Sequence, residues 1–295
     1  MDFKQFNQDE LIGVIRRLLN LVLLLVGALI FVLMIMIGYS YYKANHKEDP
    51  MDVVALETDP AAALPEKPEV KYWQAPDIST VTDPALREQI EYGKELIAHT
   101  SKYLGPNGSV AKLSNGLNCQ NCHLNAGTKV FGNNYGSVAA TYPKFRARSG
   151  TTENIFKRVN DCFERSLNGK ALDTTSKEMQ SIVAYINFLG SNVEKGKKAE
   201  GSGFKDLAYL DRAADPEKGK VVYETKCQSC HQPDGQGLMN PDNTEFTFPA
   251  LWGDHSYNDG AGLYRMSNFA KYVKYNMPQG ASHESPQLTD EEAWD

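Results

Sequence analysis

The hydrophobic pattern of this chain contains one long apolar run near its start and shorter stretches with helical spacing further on. Residues 18–42 carry no charged side chain, and residues 21–38 contain only apolar residues and glycine. A helix of that length crosses a bilayer core of about 30 Å. A cleaved signal peptide has a shorter apolar region that ends in small residues, whereas this run ends in Tyr41 and Tyr42. The pattern therefore predicts an uncleaved transmembrane helix within residues 1–42.

The charges beside the apolar run predict its orientation. Arg16 and Arg17 lie at its amino end, and basic residues tend to stay on the cytoplasmic side. The rest of the chain is then expected outside the bacterial cytoplasmic membrane, in the periplasm. Residues 43–80 combine proline, alanine and charged residues without apolar periodicity, which indicates a tether rather than a packed domain.

Two short motifs carry the clearest chemistry in the sequence. Four of the five cysteines occur in Cys119-Gln-Asn-Cys122-His123 and Cys227-Gln-Ser-Cys230-His231. A CxxCH motif binds a haem through two thioethers and supplies an imidazole to its iron. A thioredoxin-like redox pair or a zinc site uses similar cysteine spacing, but neither explains a histidine after both pairs. The sequence therefore predicts two covalently bound c-type haems, with His123 and His231 as iron ligands.

The segments that precede the two motifs resemble each other. Residues 90–96 read IEYGKEL and residues 216–223 read PEKGKVVY, which indicates an internal repeat. Helical spacing continues in residues 151–167 and 176–189. We therefore predict a mainly α fold, in which a transmembrane helix is followed by two class I cytochrome c-like domains. The expected organisation is an anchor in residues 1–42, a tether in 43–80, a first domain in 81–194, a linker in 195–213 and a second domain in 214–295 whose closing helix is truncated.

A Met-Pro pair predicts the ligand opposite His231. Met277-Pro278 follows that histidine within the second domain, in the arrangement of cytochrome c ligand loops. A thioether ligand raises the reduction potential of haem iron, which suits transfer of electrons to a partner. Met266 and Met239 are alternative ligands, and packing in the core is an alternative role for Met277.

The fifth cysteine, Cys162, is the candidate ligand opposite the first histidine. No Met-Pro pair accompanies this haem, and the apolar neighbours of Met179 indicate packing. A helix would place Arg158, Cys162 and Ser166 on one face. Guanidinium groups beside a thiol lower its pKa and attract small anions. The alternatives are a buried cysteine without a chemical role and an ordinary solvated charged face.

The distribution of charge narrows the class of partner. The formal net charge is -6 and no basic domain stands out, which argues against a nucleic-acid partner. Within this acidic chain, residues 144–165 hold six basic and three acidic side chains. This local positive excess favours a small anionic ligand near Cys162.

One segment of the predicted first domain resembles a known enzyme family. Residues 158–169 read RVNDCFERSLNG, which is similar to a segment of the dihaem thiosulfate dehydrogenase family. Residues 118–128, 248–253 and 257–262 also look like segments of that family. The resemblance covers most of residues 85–295, and the anchor and tether lie outside it.

The resemblance implies a reaction and a site. Enzymes of this family join two thiosulfate ions into tetrathionate with release of two electrons, and reduction of tetrathionate is the reverse reaction. Cys162 is then the distal thiolate ligand of a catalytic first haem, and Arg148, Arg158 and Ser166 bind the anionic substrate. The second haem passes electrons to a redox partner such as a soluble cytochrome c, a quinone pool or an oxidase.

Two functions without sulfur chemistry also fit the haem motifs. A dihaem electron shuttle would place methionine or histidine opposite His123 and would make no use of Cys162. A cytochrome subunit of a membrane dehydrogenase would leave catalysis to its partner. In that case the purified chain would act on neither thiosulfate nor tetrathionate.

Overall fold

A computed structural model describes residues 8–45 and 71–295 of the chain. It divides into two compact units, residues 1–68 and residues 69–295, which are described separately. The described residues of the first unit form one helix, α1, which spans Gln8–Asn45. Its apolar part, Ile15–Tyr41, has 27 residues. The most apolar stretch of this part has a mean hydropathy of 3.1, and none of that stretch is buried. The predicted anchor is therefore a helix long and apolar enough to cross a membrane.

The second unit is mainly helical. Its helices are α2 (Pro84–Ala98), α3 (Thr100–Leu104), α4 (Leu124–Gly127), α5 (Val138–Thr141), α6 (Ile155–Arg165), α7 (Lys177–Leu189), α8 (Pro216–Lys226), α9 (Gln228–His231), α10 (Met266–Asn276) and α11 (Asp290–Trp294). Two antiparallel hairpins join β1 (Lys144–Arg146) to β2 (Thr151–Glu153) and β3 (Leu238–Met239) to β4 (Phe246–Phe248). The predicted mainly α fold is confirmed.

Helices α2 and α7 cross at a glycine in the first half of this unit. Asp83 caps α2 just before Pro84, and Ser176 caps α7 by accepting the N–H of Met179. A Cβ placed on Gly93 would lie 2.0 Å from the carbonyl oxygen of Ser181, so only glycine permits this approach. The crossing seals a core in which Leu96, Phe163, Ile182 and Leu189 are almost completely buried.

The second half repeats this arrangement on a smaller scale. Asp215 caps α8, and Pro216 occupies the first turn, a position that proline favours. A Cβ on Gly219 would lie 2.2 Å from the carbonyl oxygen of Asp295, directly after α11. Gly93 and Gly219 occupy matching positions in the repeated segments of the sequence, so the repeat encodes the same close approach of helices in both halves.

Parts of the segments predicted as tether and linker pack against the two halves of the second unit. Residues 46–70 of the tether lie outside the described residues, but residues 71–80 pack on the first half. Trp73 is 8% exposed, and its indole Nε1 donates to Asn192 Oδ1 at 2.8 Å. In the segment predicted as linker, Leu207 is buried with apolar residues of the second half. Scattered large apolar side chains therefore anchor segments whose overall composition is that of a tether.

The helix predicted from residue 151 begins later. Residues 151–153 form strand β2, and α6 begins at Ile155 after Asn154, which caps it by accepting the N–H of Lys157 at 2.9 Å. The hairpin turns at Gly150, whose φ of +67° suits glycine. Thr151 and Thr152 favour a strand because they are β-branched, and their pairing with β1 overrides the helical spacing.

Candidate active site

The first CxxCH motif lines a cavity within the first half. Cys119, Cys122 and His123 all contribute to its wall, together with apolar side chains from α2, α6 and α7. The volume of the cavity is about 190 Å³. Burial raises the pKa of the free Cys119 and Cys122 thiols to about 12. These cysteines are therefore positioned where a covalently attached cofactor would fill the core.

The histidine of this motif has the tautomer and the fixed orientation that metal binding requires. His123 Nδ1 lies 2.6 Å from the carbonyl oxygen of Asn133, and a carbonyl can only accept, so Nδ1 carries the proton. Nε2 is then the nitrogen with a free lone pair. Burial lowers the pKa of His123 to about 4, and the ring stacks on Tyr135 at 4.4 Å between centroids. A neutral, fixed imidazole of this kind fits the iron of a haem.

Helix α6 and the residue after it bring three of the residues predicted to act on thiosulfate to the same cavity. Arg158, Cys162 and Ser166 all line it, as their helical spacing predicts. The nearby Cys162 sulfur is the main reason that the pKa of Arg158 rises, against the lowering effect of burial. The same sulfur adds, after burial, to the raised pKa of Cys119 and Cys122. A thiol, a guanidinium and a hydroxyl therefore share one cavity with the haem-attachment residues.

Arg148 lies apart from these groups. It is exposed in the turn between β1 and β2, and its Nη1 donates to the carbonyl oxygen of Gly260 at 2.6 Å. It does not contribute to the cavity wall. Met179, the weaker ligand candidate of the sequence, is fully buried in the core, where packing was predicted. The structure thus brings together three of the four predicted sulfur-site residues.

The histidine of the second CxxCH motif is held by a backbone carbonyl, as the histidine of the first motif is. His231 ends α9, and its Nδ1 lies 2.8 Å from the carbonyl oxygen of Pro249. This contact fixes the same tautomer as in the first motif and leaves Nε2 free. Burial also raises the pKa of Cys227. The residues of this motif therefore fit a second haem in the same way.

The three methionines proposed for the second haem occupy different surroundings. Met277 directly follows α10 and is half-buried, whereas Met266, at the start of that helix, is 67% exposed. Met239 is half-buried in the short strand β3. The partial burial of Met277 favours it over the exposed Met266.

Several contacts join the surroundings of the first haem motif to the second half. The Glu245 carboxylate accepts from His99 Nδ1 at 3.0 Å and from Asn118 Nδ2 at 3.0 Å, directly before Cys119. The Tyr272 hydroxyl of α10 donates to the carbonyl oxygen of Asn121, inside the first motif, at 2.6 Å. Burial raises the pKa of Tyr272 well above its usual value, so this hydroxyl keeps its proton.

Sequence reasoning missed several residues of the site. Tyr135 and Tyr142 both line the cavity, and Tyr142 also lies near Arg158, which opposes the raised pKa of this phenol. The carbonyl groups that accept from the two histidines belong to the backbone of Asn133 and Pro249. Residue identity therefore does not reveal these contacts. The two tyrosines precede the basic residues 144–165. Aromatic residues beside that segment were therefore the sequence signal that could have identified them.

Two CxxCH turns, each with a histidine held by a backbone carbonyl, define the protein as a dihaem c-type cytochrome. Residues 109–194 match the SoxA/TsdA cytochrome c domain family, and residues 216–295 match the cytochrome c family. With the sequence similarity to curated relatives described next, the chain belongs to the thiosulfate dehydrogenase family.

Curated relatives and a solved structure support this assignment. The chain is 37% identical over 247 residues to a thiosulfate dehydrogenase of Psychrobacter arcticus, which covers 83% of this chain and 70% of that protein. It is 34% identical over 254 residues to a thiosulfate dehydrogenase of Allochromatium vinosum, with coverage of 85% and 90%. The structure of thiosulfate dehydrogenase (TsdBA) from Marichromatium purpuratum matches 76% of this chain with a TM-score of 0.68 and 26% identity. This chain spans about half, 47%, of that longer chain.

Proposed function

We propose that the protein oxidises two thiosulfate ions to tetrathionate and transfers the two electrons to a redox partner. The observation that carries the proposal is the placement of Cys162 and Arg158 in the cavity that the first CxxCH motif lines. The thiosulfate dehydrogenases to which the chain is similar support the choice of substrate. A pure electron carrier has no need for a thiol and a guanidinium at this place.

Electrostatics makes the cavity suitable for an anion. Two thiosulfate dianions repel each other, and a partly buried guanidinium offsets this repulsion more effectively than an exposed one does. Arg158 also offers a planar set of donors that matches the oxygens of a sulfonate group. The hydroxyl of Ser166, one turn beyond Cys162, adds a further donor. We assign substrate binding to Arg158 and Ser166.

We assign two roles to Cys162, which would ligate the iron of the first haem when it is bound and acts as the nucleophile. A bond between its thiolate and the sulfane sulfur of thiosulfate gives a Cys–S–S–sulfonate adduct and releases two electrons. The sulfane sulfur of a second thiosulfate then attacks the sulfane sulfur of the adduct. Tetrathionate leaves, and the Cys162 thiolate is restored. When bound, two c-type haems supply one-electron acceptors for both electrons.

The second half is proposed as the exit for electrons, with Met277 as the distal ligand of its haem. Helix α10 ends next to Met277 and also carries Tyr272, whose hydroxyl contacts the first motif. One helix therefore contacts the first haem motif and ends at the residue that we propose as ligand of the second haem. The partner is proposed to be a soluble cytochrome c, a quinone pool or an oxidase, and reversal of the flow would give tetrathionate reduction.

The location follows from α1. We propose that Ile15–Tyr41 crosses the bacterial inner membrane once, with Arg16 and Arg17 at its cytoplasmic side. The haem domains then face the periplasm, where thiosulfate diffuses to them. Attachment to the membrane would keep the second haem near membrane-bound electron acceptors.

The test uses the full-length, haem-loaded protein purified in detergent. Thiosulfate oxidation is measured with ferricyanide as electron acceptor, and tetrathionate reduction with reduced methyl viologen as donor. Cys162→Ala and Cys162→Met are compared, because methionine can ligate iron but cannot form the sulfur adduct. Both variants should lose activity by on the order of a thousandfold or more, as expected when a nucleophile is removed.

The outcomes separate the competing functions. If both variants bind two haems and keep wild-type activity, Cys162 is not the nucleophile. If Cys162→Met alone remains active, the cysteine serves only as a ligand. A wild-type protein that acts in neither direction would instead be an electron shuttle or a subunit whose partner performs catalysis.

A further inference from the structure

The loop that supports His123 has an unfavourable backbone conformation. The carbonyl oxygen of Asn133 accepts from His123 Nδ1 at 2.6 Å. Asn133 has a φ of +58° and Phe131 a φ of +54°. Asparagine tolerates this left-handed conformation, but a bulky phenylalanine adopts it only where surrounding contacts enforce it. We call residues 129–133 the proximal loop, and its conformation depends on its neighbours.

Two segments hold the proximal loop from opposite sides. In the segment predicted as linker, Gly201 accepts the backbone N–H of Phe131 at 2.7 Å, and Gly203 accepts that of Asn133 at 3.0 Å. In the second half, Asn276 Nδ2 donates to the carbonyl oxygen of Phe131 at 3.3 Å. The linker therefore holds the N–H of Phe131, and the end of α10 holds its carbonyl group.

The residue that donates from the second half directly precedes the proposed distal ligand, Met277. Asn276 is the last residue of α10 and is 3% exposed. Its Oδ1 has no hydrogen-bond partner among the described residues. Burial of an amide with an unpartnered oxygen is unfavourable, so the favourable polar contact of this side chain is the one with Phe131.

A second hydrogen bond joins the same two regions in the opposite direction. Lys129, at the start of the proximal loop, is half-buried, and its Nζ donates to the carbonyl oxygen of Ala281 at 2.8 Å. We call residues 277–283, which begin with the proposed distal ligand, the ligand loop. The rings of Phe131 and His283 also meet edge to face, 5.0 Å apart between centroids. The proximal loop and the ligand loop are therefore packed directly on each other.

We propose that Asn276 and Lys129 are positioning residues that couple the iron ligands of the two haems. Asn276 acts on His123 through the backbone of Phe131 and the proximal loop. Lys129 acts on Met277 through the ligand loop. The inference rests on the ligands named in the proposed function, and it adds that each half adjusts the reduction potential of the haem in the other half.

The direction of each effect follows from the chemistry of the ligands. The hydrogen bond from Nδ1 of His123 to a carbonyl oxygen makes the imidazole a stronger donor, which stabilises oxidised iron. Loss of the Asn276 contact weakens that support and should raise the potential of the first haem. A thioether ligand raises the potential of haem iron, so a loosened Met277 should lower the potential of the second haem.

The experiment is an anaerobic redox titration of the full-length, haem-loaded protein, followed by magnetic circular dichroism. The band of methionine-ligated ferric haem reports the second haem, and the remaining ferric signal reports the first. Asn276→Ala should shift the equilibrium constant for reduction of the first haem about fivefold towards the reduced form, or roughly 40 mV. Lys129→Met should shift that of the second haem about fivefold the other way and weaken its methionine band.

Matched variants separate the coupling from general effects of substitution. Lys129→Arg keeps the donor and the charge and should restore the methionine band. Asn268→Ala removes another amide of α10, which donates to Gly262 within the second half, and Lys198→Met removes an exposed positive charge. Both controls should change either equilibrium constant by less than about twofold. Haem content and Tm verify that every variant is folded.

The coupling is overturned if Asn276→Ala leaves the first haem within about twofold of wild type, or if the methionine band keeps its full intensity in Lys129→Met. A wild-type protein without that band would overturn the assignment of Met277 and the coupling with it. No step of the titration uses thiosulfate. A wild-type protein that shows the coupling but does not oxidise thiosulfate would therefore refute the proposed function alone.

Discussion

The two haem domains hold their histidines alike but enclose their haem motifs differently. In the first domain the motif opens into a cavity within a large core, and burial lowers the pKa of His123 to about 4. In the second domain the cluster of fully buried apolar residues is small, and Trp252 and Met266 are 50% and 67% exposed. An enclosed site excludes water from charged reactants, while an open one gives a redox partner access.

This difference supports the separate tasks that we propose for the two domains. The proposed sulfur chemistry requires a nucleophile and a counter-charge in one shielded place, and Cys162 and Arg158 line the same cavity of the first domain. Electron exchange requires only a short distance between redox centres and an accessible surface. Substitutions at the two haem sites and between the domains test this division of tasks.

Removing one proximal histidine at a time should separate the tasks. His123→Ala should lower thiosulfate oxidation by more than about a hundredfold, which is the upper range for loss of a group that merely orients a metal ligand. His231→Ala should keep the first, single-turnover reduction by thiosulfate but lose steady transfer to an external acceptor. Stopped-flow absorbance resolves the two events. Equal loss of single-turnover reduction in both variants would contradict the division.

Arg158→Met should lower kcat/KM for thiosulfate on the order of a hundredfold, as removal of a preorganised donor in an enclosed site does. Arg158→Lys should keep part of the activity, because it retains the charge but loses the planar fork. Steady-state kinetics, with haem content as the check on folding, measures both. A methionine variant within about threefold of wild type would show that the cavity needs no cation at this position.

Tyr272→Phe should have the smallest effect, because it removes one hydrogen bond between the domains. The loss of the contact with Asn121 should cost about 1 kcal/mol of folding free energy, or roughly 2–4 °C in Tm for a unit of this size. Tyr264→Phe, at an exposed tyrosine, is the control and should change stability by less than about 0.5 kcal/mol. Calorimetry measures both Tm values. Equal Tm values for the two variants would show that the Tyr272 hydrogen bond does not stabilise the interface.

Features set by neighbouring residues could be predicted from the sequence. Ser176 and the spacing of Ile182 and Ile186 predict α7 to within a residue, because caps and helical periodicity act over one or two turns. The CxxCH motifs identify the cofactors because their chemistry is contained in five residues. The shared face of Arg158, Cys162 and Ser166 follows from the geometry of a single helix.

Features that depend on distant parts of the chain could not be predicted in this way. Strand β2 forms because Thr151 pairs with Arg146 across a turn, and helical spacing hides that pairing. Trp73 packs on the first domain through a partner at Asn192, far along the chain. Arg148 turns towards Gly260, and that contact exists only once the second domain has folded against the first.

The most direct test of the account is the chemical state of Cys162 during turnover. The full-length, oxidised protein is mixed with thiosulfate in the absence of oxygen, and the reaction is quenched in acid at successive times. The protein is then digested, and the mass of the peptide that contains Cys162 is measured by mass spectrometry. The account predicts a thiosulfate adduct on Cys162, which further thiosulfate discharges as tetrathionate. Tetrathionate formation at the wild-type rate while Cys162 stays unmodified at every time point would contradict it.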